Sequence, residues 1–316
     1  MMQWRPCALR SAGVEHTRYR EANVAAINAV DLHALHSTIE RLALSLIDKF
    51  CRTGRAEIIG DYAFPIAFEA INTLVGCPPD IGVRVADGLR AMLDCVDSEQ
   101  GNKMVSEALL TLIEMKRSSP GDDITTRLLH HPAGLDDSEM VHQLATLYGP
   151  GIEPQRNLIT NTLLLMLTDD RFGGVVLGGS LSTRDALDEL LFDDPPIANF
   201  SITYPRQPIL VNGLWVPADE PVVIGIAAAN TDPAIDNGYN IGNRSHLAWG
   251  AGPHSCPAQS IAYLVAHDAI EQLLDVLPDM RLTVPTDQLT WRPGPFHRAL
   301  TALPVTFPPT TLPESA

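Results

Sequence analysis

The chain has few aromatic residues, few positive charges and no long apolar run. Aromatic residues make up 6% of its 316 residues, and 22 lysines and arginines stand against 38 aspartates and glutamates, giving a net charge of −16. This charge argues against a nucleic-acid-binding surface, although a local basic patch could dock an acidic redox protein. Without an apolar run of about 18 residues or a basic-then-apolar leader, neither a membrane anchor nor secretion is indicated. We therefore expect a cytoplasmic location.

Cysteine is also scarce, and its spacing favours reduced thiols over a disulfide framework. The five cysteines are odd in number and far apart: Cys7, Cys51, Cys77, Cys95 and Cys256. With 45% hydrophobic residues the chain can bury a core, and its length favours one globular domain over residues 1–316. The tail over residues 308–316 is expected to be loose.

The spacing of apolar residues predicts a mainly α-helical protein with small β-sheets. An acidic first turn at residues 136–139 opens a long apolar run to Leu167, and Pro195-Pro196 closes a further helix. The other predicted helices are His33 to Phe50, Phe64 to Val75, Val83 to Val96, Asn102 to Lys116, Ile124 to Leu129 and Arg184 to Phe192. The predicted strands are Ile209 to Val211, Leu214 to Val216, Val222 to Ile226, Met280 to Val284 and Ala302 to Phe307.

The segment Trp249-Gly-Ala-Gly-Pro-His-Ser-Cys256-Pro-Ala258 places one cysteine behind a glycine-rich loop. Gly250 and Gly252 allow the backbone to bend tightly and to approach a flat ligand. Apolar residues from Ile261 to Leu274 predict a helix after the loop, with Pro257 in its first turn. A thiol at a helix N-terminus is expected to have a depressed pKa. Cys256 is therefore predicted to be a metal ligand.

Four other interpretations of this loop differ in how well the sequence supports them. A phosphate-binding P-loop would end in Lys-Ser/Thr, which is missing. A zinc site would need more cysteines or histidines at ligand spacing than His254 and Cys256 provide. A cysteine nucleophile activated by the helix start stays open. A buried structural cysteine also stays open.

The cysteine segment resembles the haem-binding loop of cytochromes P450, aromatic-Gly-x-Gly-x-His-x-Cys-x-Gly. Trp249 stands at the phenylalanine position and Ala258 at that of the last glycine. The resemblance implies that the thiolate of Cys256 ligates the iron of haem b. It also implies that Gly250 lies against the haem and that His254 approaches a haem propionate.

The interrupted helix 149–154, Gly-Pro-Gly-Ile-Glu-Pro, predicts either a kink or a boundary between two helices. It resembles the distal helix of cytochromes P450, whose pattern is Ala/Gly-Gly-x-Asp/Glu-Thr. Gly151 and Glu153 match the glycine and the acid, so the resemblance implies that Glu153 assists proton delivery. Pro154 replaces the threonine, and Glu153, Gln155 or a water molecule could take over from its hydroxyl.

Two further segments resemble other parts of the family pattern. His16-Thr-Arg-Tyr-Arg20 matches the His-x-x-x-Arg that holds the haem propionates, since residues four apart share a helical face. Arg206 is the nearest arginine to the third propionate position, where the alignment places Thr203. Glu189 matches the acid of Glu-x-x-Arg.

Phe192 stands where the family's Glu-x-x-Arg has its arginine, so the acid of this pair lacks its usual partner. A buried carboxylate without a partner is costly. Arg244 is the predicted replacement partner of Glu189.

The resemblance spans His16 to Phe307 and implies a P450 fold that lacks much of its N-terminal sheet region, with apolar surface exposed as a result. It implies a haem-thiolate monooxygenase that takes electrons from a ferredoxin-type donor and inserts one oxygen atom from O2 into a small organic substrate. Two alternatives remain. One is a degenerate relative that acts as an interaction partner, and the other is a haem-thiolate enzyme that uses peroxide.

Overall fold

A computed structural model describes residues 5–93, 97–172, 181–234 and 242–312, and this part of the chain is mainly helical. Three antiparallel sheets accompany the helices: β1, β7 and β6 in that order, β2 with β5, and β3 with β4. The prediction of a mainly α protein with small sheets is therefore confirmed. The helices are α1 (Gly13–Asn28), α2 (Leu32–Ile47), α3 (Phe64–Val75), α4 (Pro79–Leu93), α5 (Ser98–Ser118), α6 (Ile124–His130), α7 (Asp137–Thr168), α8 (Thr183–Asp193), α9 (Ile226–Asn230) and α10 (Gln259–Val276). The strands are β1 (Arg55–Glu57), β2 (Asn199–Thr203), β3 (Ile209–Val211), β4 (Leu214–Val216), β5 (Val222–Gly225), β6 (Arg281–Leu282) and β7 (Pro304–Thr306).

Helix α7 is a single element of 32 residues that contacts α3, α5, α8 and α10. A reciprocal capping box between Asp136 and Glu139 starts it. It continues through Pro150 and Pro154, so the interpretation of this segment as two helices joined by a loop is wrong. The two prolines are one turn apart and remove only two N–H donors, while buried residues on both sides hold the helix against its neighbours.

Two buried tyrosines connect the central helices by hydrogen bonds through their hydroxyl groups. Tyr148 of α7 donates to Oδ1 of Asn72 in α3 at 2.8 Å. Tyr62, just before α3, donates to the carbonyl oxygen of Ala269 in α10 at 2.6 Å. Both phenols are fully buried, and each bond satisfies a polar group that would be costly to bury alone.

The hairpin of β3 and β4 turns at Asn212 and Gly213, where the φ angles are +46° and +81°. Two positive φ angles in a two-residue loop suit the twist of a hairpin. The hairpin exposes apolar side chains, with Leu214 74% and Trp215 68% exposed.

The last described residues lie against the body of the protein. The N–H of Thr310 donates to the carbonyl oxygen of Cys51, and Leu312 packs against the core. These residues belong to the stretch that was expected to be loose. Of the cysteines, Cys95 lies outside the described residues, and the other four form no disulfide among themselves. Within the described ranges, no helix is both long and apolar enough to cross a bilayer.

A histidine–carboxylate contact between α2 and α10 should make stability depend on pH. The Asp268 carboxylate accepts a 2.7 Å hydrogen bond from Nδ1 of His36 and raises the pKa of this histidine. A raised pKa stabilises the fold below the unfolded value of about 6.5, and the contribution is lost as the pH rises through the folded value. We expect His36→Gln to lower the melting temperature at about pH 6 and to have almost no effect at about pH 8.5.

The control for this experiment is His33→Gln, one turn earlier on α2 and exposed. Thermal denaturation of both variants across this pH range tests the prediction. An equal loss at both ends of the range in His36→Gln would show that the ring contributes by packing and not by charge.

Candidate functional site

The cysteine loop, residues 249–256, folds back on itself through its own backbone. Gly250 and Gly252 have φ angles of +70° and +67°, a region that residues with a Cβ atom rarely adopt. The N–H of Cys256 donates to the carbonyl oxygen of Trp249 at 2.7 Å. This bond closes the loop and fixes the backbone position of the cysteine. Pro257 precedes α10 and does not lie in its first turn, since the helix begins at Gln259.

The thiol of Cys256 is not acidified by the helix start in the way the sequence predicted. Burial raises its pKa, and the N–H of Ala258 and the charge of Arg20 act in the opposite direction with less effect. The prediction of a depressed pKa is therefore wrong for the protein without a metal ion. The cause is the desolvation of the anion. A coordinated metal ion would reverse the balance, because a coordinating thiol is deprotonated outright.

Three basic side chains meet at the cysteine loop. The rings of His16 and His254 lie with their centroids 4.2 Å apart, and Nη2 of Arg20 donates to the carbonyl oxygen of Ser255 at 2.5 Å. Helix α1 supplies His16 and Arg20 from one face, as their spacing predicted. Burial, followed by the charges of His254 and Arg20, lowers the pKa of His16. Among the described residues, no carboxylate pairs with any of the three.

Nε2 of His16 is buried and has no hydrogen-bond partner. A buried polar atom of this kind calls for a partner that the protein alone does not provide. A carboxylate next to His16 and Arg20 would satisfy this atom and the surrounding positive charge. The donor set around the loop thus fits a thiolate-ligated group that carries carboxylates.

Glu153 lies in α7 between two arginines. Its Oε1 accepts from Nη2 of Arg156 at 2.6 Å and from Nη1 of Arg292 at 2.5 Å. Neither arginine was singled out from the sequence. The i,i+3 spacing of Glu153 and Arg156 was the available signal for one of them, whereas Arg292 is 139 residues away.

Gly151 and Gln155, on the same helix, take part in packing. A Cβ atom on Gly151 would lie 3.0 Å from Cδ1 of Ile71, so the glycine allows α3 to approach α7 closely. Nε2 of Gln155 donates to the carbonyl oxygen of Ala262 in α10 at 3.0 Å.

The ion pairs of α8 differ from the predicted ones. Glu189 pairs with Arg171, whose Nη2 lies 2.5 Å from Oε1 of the glutamate. Arg244 pairs with the neighbouring acid, its Nε lying 2.8 Å from Oδ2 of Asp188. The predicted pairing of Arg244 with Glu189 is therefore wrong. Consecutive helical residues point about 100° apart, so only one of the two acids can face the segment that carries Arg244.

Arg206 is not brought to the cysteine loop by any contact. It is exposed in the connection between β2 and β3. Within the described part of the chain it forms no hydrogen bond or ion pair. Its role at a propionate stays a prediction.

No family model matches the chain, but curated proteins and solved structures match nearly all of it. Cytochrome P450 107B1 of Saccharopolyspora erythraea is 28% identical over 312 residues, which cover 95% of this chain and 77% of that protein. The polyketide biosynthesis cytochrome P450 PksS of Bacillus subtilis is 27% identical over 309 residues, covering 93% and 76%. The structure of the myxobacterial cytochrome P450 CYP267B1 in complex with myristic acid superposes with a TM-score of 0.85 at 26% identity, covering 96% of this chain and 79% of that one.

The chain belongs to the cytochrome P450 family. It is a P450-type monooxygenase, and its cofactor is a thiolate-ligated haem. The order of the matched elements along this P450 chain is α1, α7, α8 and then the cysteine loop. The described residues contain no group of three or more histidine, cysteine, aspartate or glutamate side chains that could hold a metal ion. A single protein thiolate is the ligand that the family uses.

Removing the charge of Glu153 should destabilise the protein. Glu153→Gln leaves two partly buried guanidinium groups without a carboxylate between them, and the side chain of Glu153 is only 17% exposed. We expect the free energy of unfolding to fall by about 2 kcal/mol, measured by urea denaturation. The matched control is Glu107→Gln, which breaks an exposed pair with Lys103 and should cost less than about 0.5 kcal/mol. Equal losses in the two variants would contradict the buried three-residue cluster.

Proposed function

We propose that Cys256 ligates the haem iron and that His16, Arg20 and His254 bind the haem propionates. The observation that carries this assignment is the buried, unpartnered Nε2 of His16 beside Arg20 at the cysteine loop. Gly250 and Trp249 then shape the loop that faces the ring. Both glycines of the loop keep side chains away from the space that a flat macrocycle needs.

Bound haem-thiolate supplies the activation of dioxygen and the insertion of one oxygen atom into the substrate. The contribution of the chain on the distal side comes from α7. Glu153 stands at the position of the family's distal acid, and its Oε1 is bound by Arg156 and Arg292. Proton transfer through its Oε1 requires one of these contacts to open. Pro154 offers no hydroxyl, and Gln155 is already bound to α10, so Glu153 acts with water molecules.

The partners of the proposed reaction are a redox protein, O2 and a small organic substrate. We propose a ferredoxin-type electron donor, and a cytoplasmic location stays a prediction from the sequence. One observation favours peroxide as a second cosubstrate. Glu153 is held by two guanidinium groups and has no adjacent hydroxyl. Reduced dioxygen therefore has few proton donors at this position, whereas peroxide already carries its protons.

Substitution of Cys256 tests the haem assignment directly. In Cys256→Ser we expect the band typical of thiolate ligation to vanish from the reduced carbon monoxide difference spectrum, because a serine hydroxyl does not replace a thiolate as iron ligand. The control Cys51→Ala changes a fully buried cysteine elsewhere and should keep the band. A wild-type protein that folds but takes up no haem, or a Cys256→Ser protein that keeps the band, would overturn the assignment.

The propionate contacts and the cosubstrate need separate measurements. His16→Ala with Arg20→Gln should weaken haem retention by about tenfold or more without removing the thiolate band from the haem that remains. Turnover supported by a ferredoxin and its reductase is then compared with turnover supported by peroxide. Product formed only with the ferredoxin system would exclude the peroxide alternative.

A further inference from the structure

The cysteine loop and α8 are connected although the arginine of Glu-x-x-Arg is replaced by Phe192. The ring of Phe192 meets the ring of His246 edge to face, with centroids 6.5 Å apart and planes at 87°. His246 lies three residues before the cysteine loop. An aromatic contact therefore occupies the place of the family's cation, and the polar connection has to come from other residues.

Asn230 at the end of α9 provides one such connection. Its Nδ2 donates to the carbonyl oxygens of Leu191 and Phe192, at 3.3 and 2.9 Å. Its Oδ1 accepts from the N–H of Leu247 at 2.8 Å. The side chain is 2% exposed, so all three bonds are shielded from water. One amide thus joins the last turn of α8 to the chain that leads into the cysteine loop.

The connection continues from Asn230 to the backbone of the cysteine. The carbonyl oxygen of Leu247 accepts from the N–H of Gly250 at 2.8 Å. The carbonyl oxygen of Trp249 accepts from the N–H of Cys256 at 2.7 Å. These backbone bonds follow one another along the chain, so a displacement at Asn230 would reach the backbone of Cys256.

Asp188 provides the second connection, and it touches both sides of the loop. Its carboxylate binds Arg244, which precedes the loop. Tyr263 in α10, which follows the loop, lies close to Asp188, and burial together with the Asp188 carboxylate raises the pKa of this phenol. The hydroxyl of Tyr263 donates to the carbonyl oxygen of Arg184, also in α8. Helix α8 therefore holds the loop at its entry and at its exit.

We propose that Asp188 and Asn230 are the positioning residues of the cysteine loop and replace the Glu-x-x-Arg pair in this function. Glu189, the acid that matches the family position, is excluded from the role by its geometry. It pairs with Arg171 and faces a cavity of about 220 Å³ lined by residues of α7 and by Trp291. The inference rests on the proposed haem site, because positioning matters for the thiolate ligand.

Three variants of the haem-loaded protein test the proposal. Asp188→Asn keeps the shape of the side chain and removes its charge, and Asn230→Ala removes the three hydrogen bonds. Glu189→Gln is the matched control, an adjacent acid on the same helix with its own arginine. We expect the first two to shift the reduced carbon monoxide adduct from the thiolate-ligated form towards the neutral-thiol form by about tenfold in ratio, and the control to leave the ratio unchanged.

A second measurement uses the haem-free protein and separates this proposal from the haem assignment. Amide hydrogen exchange at Leu247, Gly250 and Cys256 should accelerate about tenfold in Asn230→Ala and stay unchanged in Glu189→Gln. Melting temperatures show whether a variant is merely destabilised. If wild type takes up no haem, the proposed function fails and the exchange rates still decide this inference. Unchanged exchange in Asn230→Ala, or an equal spectral shift in Glu189→Gln, would overturn it.

Discussion

The burial of the Cys256 sulfur is the constraint on which the proposed haem site depends. Burial raises the pKa of Cys256, and the nearest N–H and the charge of Arg20 do not offset it. In the proposed haem site the iron on the sulfur would supply this stabilisation. The residues around the Cys256 sulfur therefore have to hold the cysteine in one position. They also have to form a surface that is compatible with a charged, flat ligand. The loop geometry fixes the position of the cysteine, and the basic residues of α1 suit the ligand's charge.

The local charge at the site is opposite to the charge of the whole chain. The chain carries −16, yet His16, Arg20 and His254 gather where no carboxylate of the described residues pairs with them. Within the described part of the chain, such a cluster leaves the buried Nε2 of His16 without a hydrogen-bond partner and the permanent cation of Arg20 bound only to a carbonyl oxygen. In the proposed site the two carboxylates of a haem would accept hydrogen bonds from these groups. The lack of a protein carboxylate at this cluster, among the described residues, is consistent with a ligand that supplies one.

Much of the fold could be predicted from residue spacing, and most of the side-chain partners could not. The bounds of α3, β3 and β4 follow from apolar periodicity and turn residues, which are local signals. The choice of Arg171 for Glu189 depends on the direction in which α8 presents each acid, and that direction is set by packing against α7 and α10. Arg292 reaches Glu153 from a segment beyond the cysteine loop, and no local pattern indicates a contact over that separation.

The replacement of one arginine by Phe192 explains the arrangement of charges around α8. Two neighbouring acids that are both largely buried would each be destabilising without a cation. The chain meets this need with Arg171 and Arg244, which come from segments before and after the helix. Because these cations come from outside α8, they also join it to the ends of α7 and to the approach to the cysteine loop. These two pairs hold three parts of the site together.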